Sequence, residues 1–547
     1  MGHNPKKGAA VLLTTFIVAI VLTALAGTVA FILTHETREV SYREKENKAL
    51  YLAEAGINQA TVVIQSSFEA LYLSSKSVTQ SLAYLDGLSG INIIPQTSLG
   101  QGNFSVTVVS ISNVIGTDRR RITMNSTGNY NGASVTLAVV KIFGFSASRV
   151  FDHSYFINNF GWFYGGTQSI QGDIRANGRV EVRGAQKVNG DVYASMDIDQ
   201  DQGSFFYDSI SRYYTTASTR ARPGDPPDVG GVSYPGGYDG FADNYDPFGD
   251  PRNPASPQMH PNQESVGMPY LGDLSYYQAL AASKDGTISQ GGAVLVDNVY
   301  SGSLVLVGTA QNPIVINGPV VITNDVVIKG VVSGQGTIYA GRNTHIIGDV
   351  TYANPPSWPK PDSDPLTTSA QNVNKDFLGL CSKGNVIFGD YLSSKWQNQV
   401  KQYIRPPFTN PYSVDQTDAS IGYASYYQGG TPYFDGDYTD LDGGKKIDNS
   451  DRRYYESSLA NSAFSSLTPT NNISQIDALL YTNHAIAGEV KNIKFNGSII
   501  GRDEGIIFSG SLTMNFDYRV KEKGREFVDI QLPISIMKPE TERWQKL

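Results

Sequence analysis

Residues 9–33 read AAVLLTTFIVAIVLTALAGTVAFIL, without a charge or a proline, and follow directly on Lys6, Lys7 and Gly8. As an α-helix this stretch is ~37 Å long, more than the ~30 Å hydrocarbon core of a bilayer. A helix in a soluble core would show a polar face. The only polar side chains here are Thr14, Thr15, Thr23 and Thr28, whose hydroxyls can bond back to helix carbonyls. The stretch is therefore read as a membrane helix. A cleaved secretory signal is the alternative, but its apolar region is typically ~7–15 residues and ends in a small-x-small site. Ala24-Leu25-Ala26 lies inside this segment, with apolar sequence beyond it. Lys6 and Lys7 put the positive charge at the N-terminal side, so those residues are expected in the cytoplasm and the rest of the chain outside. That is a single-pass arrangement in the inner or cytoplasmic membrane.

Residues 34–72 contain no proline and one glycine, so the spacing predicts that the helix continues out of the membrane to about residue 75. Leu50, Ala53, Ile57, Ala60, Ile64, Phe68 and Leu71 recur at intervals of three and four and fall on one stripe. The outer half is amphipathic and needs a partner to bury that stripe.

A short basic leader ending in Gly8, an apolar helix starting at Ala9, an amphipathic continuation and the segment Ala53-Glu54-Ala55-Gly56 together resemble the N-terminus of type IV pilin-like proteins, above all the PilX-type minor pilins. The resemblance covers about the first 70 residues well and the next 75 loosely. It implies cleavage between Gly8 and Ala9 by a prepilin peptidase, methylation of the new N-terminus, and partners among other pilins or pseudopilins and their assembly machinery. Major pilins carry a glutamate at the fifth mature position, where this chain has Leu13. A carboxylate there is costly in lipid unless it meets a neighbouring amine. Its absence argues against a bulk subunit and for a place at a filament end or in priming. The alternative is a bitopic anchor holding a surface domain.

The net charge is −8 and no basic cluster recurs after Arg119, Arg120 and Arg121, which argues against a nucleic-acid partner. With Cys381 the one cysteine, no intrachain disulfide is possible. The 55 glycines and 32 tyrosines point to turns and strands. Residues 103–145 alternate apolar and polar side chains on either side of Asn131-Gly132, a pair that accepts the positive φ angles of a type I′ hairpin turn. A small antiparallel sheet burying the helix stripe is the economical reading.

From residue 146 the texture changes. Gly172, Gly178, Gly184 and Gly190 recur every six residues between short β runs, and similar runs return in 289–352 and 482–516. Such strands bury little singly but share a core when stacked, which predicts a parallel β-solenoid; a β-sandwich of hairpins is the alternative. The fold class is thus α+β, predominantly β. The domains are a leader (1–8), the transmembrane and amphipathic helix (9–75), a small antiparallel β domain (76–145) and a solenoid-like exported domain (146–547) with insertions at about 201–280 and 353–480. The insertions are rich in Tyr, Asp, Pro and Gly, as in RPGDPPDVGGVSYPGGYDGFADNYDPFGDPRNP at 222–254, a texture suited to surface glycans or another protein and equally to solubilising decoration. The C-terminal segment 521–547 supplies a last strand and a charged tail.

Little in the chain points to catalysis. The six histidines are scattered, and neither a Gly-x-Ser-x-Gly elbow nor a phosphate loop is present. Asp173, Asp191 and Asp349 follow glycines in the solenoid blocks, where an acidic cluster would be the mark of a polysaccharide-active enzyme. Asp435, Asp437, Asp440 and Asp442 before Gly443 resemble a calcium loop, but Tyr438 stands where an EF-hand needs an acid. No cofactor is expected, with calcium the weak exception. The expectation is a non-enzymatic minor pilin-like subunit that initiates, caps or stabilises a type IV pilus or type II secretion pseudopilus, displayed in a cell-surface filament and used in adhesion. A membrane-anchored polysaccharide-active enzyme and a stand-alone adhesin are the alternatives.

Overall fold

The computed structural model describes residues 5–158 apart from 76 and 116, most of 161–200, short stretches at 205–207 and 213–215, 259–358 with small gaps, 369–400, the pairs 427–428 and 431–432, 455–521 apart from 503 and 509, residue 525 and 530–547. The chain divides into two compact units, Met1–Phe145 with Met537–Leu547, and Ser146–Ile536.

In the first unit, α1 (Pro5–Ser75) is one unbroken helix of 71 residues, ~107 Å at 1.5 Å per residue. Its one proline stands at the first position, where the missing N–H costs nothing. After α2 (Val78–Asp86), capped by the Ser77 hydroxyl accepting from the Gln80 amide, four strands follow: β1 (Asn92–Leu99), β2 (Gly102–Asn113), β3 (Arg119–Tyr130) and β4 (Ala133–Ala147). Each is antiparallel to the next. Tyr130 pairs with Ala133, and Asn131 and Gly132 take φ of 45° and 88°, as the type I′ expectation requires. Alternate residues Ile122, Met124 and Ser126 of β3 and Val135, Leu137 and Val139 of β4 are buried.

The final strand, Glu540–Lys546, pairs antiparallel with β4, from Glu540 opposite Ile142 to Lys546 opposite Leu137. The Met537 amide donates to the Gly144 carbonyl at 3.0 Å. Arg121 grips Glu542 through two 2.5 Å contacts, and Lys546 reaches Glu46 of α1 at 2.6 Å. Residues 537–547, which the sequence groups with the distal domain, belong to the first unit. The body Ser146–Ile536 is thus an insertion between two paired strands.

Within that body most of the described strands pair in parallel. Ile314 faces Val332, Gln168 faces Gln186 and Ile174 faces Val192, each about 18 residues on. One inward row runs Val320, Ile338, Leu380, Leu480, Ile499, Tyr155, Ile174 and Val192, all buried. The step from Ile499 to Tyr155 shows that stack order is not chain order. The chain enters in mid-stack at Tyr155–Ile157, beside the second half of Asn492–Gly501, whose first half pairs with Ser511–Asn515. Ser511–Asn515 in turn pairs with Thr167–Gln171. Two runs of chain therefore complete one stack.

Residues 263–283 carry the chain back along an outer face. The Gln263 amide donates to Ala194 O, the Val266 amide to Asn177 Oδ1 and the Leu271 amide to Asn483 Oδ1, at 2.8, 2.8 and 2.9 Å. The Tyr481 hydroxyl donates to the Pro269 carbonyl, and Tyr277 of the helix Leu274–Ser283 stacks on Tyr339 at 4.2 Å. This strap covers the outward row Val321, Tyr339, Cys381, Tyr481, Ile500 and Phe156. The first insertion, placed at 201–280 from sequence, therefore includes ordered backbone at its end. Phe377–Ser382 and Val386–Phe388, read as lying inside the second, are strands of the stack. They are buried on both faces, so they show continuous apolar sequence rather than glycine-spaced alternation.

Amide ladders join successive levels: Asn515 Nδ2 donates to Asn496 Oδ1 and Asn496 Nδ2 to Asp477 Oδ1, both at 2.7 Å. The ends of the body are tied to each other. Arg525 donates to Ser148 O at 3.1 Å and contacts Asp152 at 3.2 Å, while the Ser148 amide reaches Pro533 O at 3.3 Å.

A Cβ on Gly128 of β3 would lie 2.1 Å from the Ala49 carbonyl oxygen and 2.6 Å from the Ala53 nitrogen of α1. Gly128→Val is expected to destabilise the first unit by about 3 kcal/mol and lower its unfolding temperature by roughly 6–12 °C. Gly87→Ala, with only ordinary contacts at 3.4 and 3.5 Å, should stay within about 0.5 kcal/mol. Thermal unfolding followed by circular dichroism checks both.

Candidate functional site: the apolar helix and its seat

Between Leu12 and Leu33 the large side chains of α1 face outward, with Leu12 75%, Phe16 64% and Phe31 72% exposed. Among the described residues α1 is the one helix long and apolar enough to cross a membrane. The Thr14, Thr23 and Thr28 hydroxyls donate to the carbonyls of Ala10, Ala19 and Ala24 at 2.7–2.9 Å, so these three hydroxyl protons are paired within the helix. Leu13 is 62% exposed on the same surface. Lys6, Lys7, Gly8 and Ala9 lie in helical backbone at the start of α1.

The second half of the helix is seated on the sheet. Ala53, Ile57, Ala60, Ile64 and Phe68 are buried, Leu50 and Leu71 half-buried, and Ala49, Leu52 and Tyr72 join the buried stripe. The small residues set the distance. A Cβ on Gly56 would lie 2.5 Å from Ser126 Oγ and 2.9 Å from the Phe104 ring. In Ala53-Glu54-Ala55-Gly56, then, Ala53 and Gly56 are the buried pair, with Glu54 and Ala55 half-buried beside them. Farther along, Phe68 and Tyr72 pack on Phe145 at 5.2 and 5.0 Å. Sequence periodicity reveals the helix half of this contact. Gly128 and Gly102, which receive it on the sheet, carry no periodic signal and go unnoticed.

In the body, Asp173 and Asp191 come together while Asp349 sits several strands along the stack. Asp173 accepts from the Asp191 amide at 3.0 Å and from Lys521 at 3.0 Å; Asp191 accepts from the Tyr193 hydroxyl at 3.2 Å and lies 3.6 Å from His260 Nε2. Asp349 caps the strand Gln475–Thr482, accepting from the Ser474 amide and hydroxyl at 2.6 and 2.8 Å. Cys381 is buried beneath the strap, where burial pushes its thiol up. The calcium candidates Asp435, Asp437, Asp440 and Asp442 lie outside the described residues. Among those described, no group of three or more His, Cys, Asp or Glu side chains is placed to hold a metal ion.

His345 is a buried polar group that the sequence does not single out. It is fully buried with neither ring nitrogen hydrogen-bonded, packed against Tyr391 and Phe464 at 5.4 and 5.6 Å. Around them Trp396 and Tyr455 complete an aromatic cluster built by residues 391–400 and 455–467. Burial lowers the His345 pKa to about 4, Asp325 opposing and Arg342 reinforcing the shift.

No protein-family profile matches the chain, and no curated protein does. Among solved structures the chain is similar to the crystal structure of the competence-associated pilin ComZ from Thermus thermophilus, at 10% identity, with 92% of this chain and 98% of that chain covered and a TM-score of 0.26.

Because the folded state holds His345 neutral, its contribution to stability is complete above the ordinary pKa of 6.5 and is lost as pH falls toward about 4. Between pH 7 and pH 5 the loss should be about 2 kcal/mol. Chemical unfolding followed by tryptophan emission is expected to show that loss in the wild type, and a shallower pH dependence by the same amount in His345→Leu.

Proposed function

We propose that this protein is a non-enzymatic, pilin-like structural subunit of a type IV pilus or type II secretion pseudopilus, of the PilX-type minor class. The observation that carries the reading is a single helix whose first part exposes an apolar surface all round and whose second part is seated by small residues on an antiparallel sheet. Each large apolar side chain left in water forgoes ~1.5–3 kcal/mol, so Leu12 to Leu33 require lipid or the helices of neighbouring subunits. The same segment serves both needs, first as a single-pass anchor with the body exported, then as filament core.

In this reading Lys6 and Lys7 stay cytoplasmic, prepilin peptidase cuts between Gly8 and Ala9, and Ala9 is methylated. Leu13 offers no carboxylate to a neighbour's amine, which favours initiating, capping or stabilising a filament over repeating along its shaft. The parallel stack is read as a β-solenoid, displayed at the cell surface, whose loops meet glycans or another protein in adhesion.

N-terminal mass spectrometry of the protein from its native membranes tests this directly. The expected mature chain begins at methylated Ala9. A chain that retains Lys6 and Lys7 would overturn processing as a prepilin and leave an anchored surface protein.

A further inference from the structure

An outward row of side chains in the body stands in register as Val305, Val327, His345, Ile387 and Ala487. His345 is its one polar member, and Val327, Ile387 and Ala487 are buried with it. An arm made of residues 391–400 and 455–467 covers the row. Its short helices, Ser394–Gln399 and Asn461–Ser466, supply Trp396 and Phe464 to the cluster that Tyr391 and Tyr455 complete. The two segments stand at either end of residues 401–454 in the chain.

This apolar cluster is separate from the inner core that runs through Val326, Ile346, Val386 and Ile486. Polar contacts fasten the arm to the stack: Trp396 Nε1 donates to the Phe388 carbonyl at 3.0 Å, the Ser458 amide to Asp325 at 2.5 Å and Lys329 to the Leu467 carbonyl at 2.6 Å. Lys395 also bonds Glu489.

A valine or isoleucine would fill position 345 without a polar atom. The histidine instead buries two ring nitrogens without a hydrogen bond, a cost when the ring is neutral and a larger one when it is charged. Asp325 is already bound to Arg342 at 2.7 Å and to the Ser458 amide. The other ionisable groups around the cluster are Lys329, the Lys395–Glu489 pair, Glu456, Tyr391 and Tyr455, and none of them bonds a nitrogen of the ring.

We infer that the arm is an acid-released clasp: protonation of His345 detaches residues 391–400 and 455–467 from the outward row and leaves the stack beneath them folded. Water reaches the ring when the arm is off, so the open form takes up the proton and acid draws the equilibrium toward it. With the ring titrating at its ordinary 6.5 when open and at about 4 when closed, the open population rises about 20-fold between pH 7 and pH 5. Well above pH 6.5 the ring is neutral in both forms and the population no longer responds to pH.

Hydrogen exchange followed by mass spectrometry on the full-length protein in detergent, at pH 7 and pH 5 with exchange times matched for the intrinsic rate, provides the test. Peptides covering 391–400 and 455–467 should open about 20-fold more at pH 5. Peptides covering Phe377–Ser382 and Gln475–Thr482 of the stack should stay protected over the same times. In His345→Leu the arm's opening should change less than about threefold between the two pH values. Were that variant not to fold, His345→Phe, which keeps a ring against Tyr391 and Phe464, takes its place in the same comparison. An arm no more open at pH 5 than at pH 7 would overturn the inference. So would arm and stack losing protection together, which is unfolding of the whole body, or a rise that persists without the histidine, which would assign the release to Asp325, Glu456 or Glu489.

Discussion

Between Gly128 of the sheet and the α1 backbone at Ala49 and Ala53 there is no space for a side chain, and one turn along the helix Gly56 meets Ser126 and Phe104 just as closely. That close approach is the constraint on which the first unit depends. It seats a helix of alanine, glycine and isoleucine on the alternating apolar face of β2 and β3, while the first half of α1 stays uncovered. A larger residue at any of these points would lift helix from sheet and strip burial from Ile57, Ile64 and Phe68 together, since all lie on the same stripe.

The sheet also settles how a large body is carried. The last strand returns to β4, with Arg121–Glu542 and Lys546–Glu46 fastening it, so the body leaves and rejoins one sheet. An insertion of this kind needs its ends close together, and the stack satisfies that by admitting the chain in its middle. Tyr155–Ile157 and Ser511–Asn515 occupy the same level against Asn492–Gly501, and Arg525 joins the segments beyond them. The cost of this topology is a long return path, and the strap 263–283 makes that path stabilising by covering an outer row that would otherwise expose Tyr339, Cys381 and Tyr481.

What the sequence makes legible follows from where its signals are local. The apolar run 9–33, the stripe from Leu50 to Phe68 and the Asn131-Gly132 turn are each fixed by residues within a few positions of one another: α1 runs unbroken through 9–33, Ala53 to Phe68 include the buried positions 53, 57, 60, 64 and 68, and Asn131 and Gly132 take positive φ. The short glycine-spaced strands likewise announce parallel stacking without telling which strand meets which. Pairings such as Ile499 with Tyr155, or Lys546 with Leu137, join residues hundreds of positions apart, and nothing in either segment names its partner. The same holds for Gly128, whose role depends on a helix about 75 residues earlier. The boundary drawn at 353–480 failed for a different reason: FLGLCS and VIF are buried on both faces and so lack the alternation that marks a half-exposed strand.

The claim that the first unit is completed by the C-terminal strand, with the body an insertion, is tested most directly by excision. Phe145 and Met537 flank the 3.0 Å bond from the Met537 amide to the Gly144 carbonyl, so residues 146–536 can be replaced by a short glycine-serine linker. The expected product unfolds cooperatively in detergent with the helix content of α1 and α2 retained, and is stabler than residues 1–145 alone. A product no stabler than residues 1–145 would contradict the claim and return residues 537–547 to the distal body.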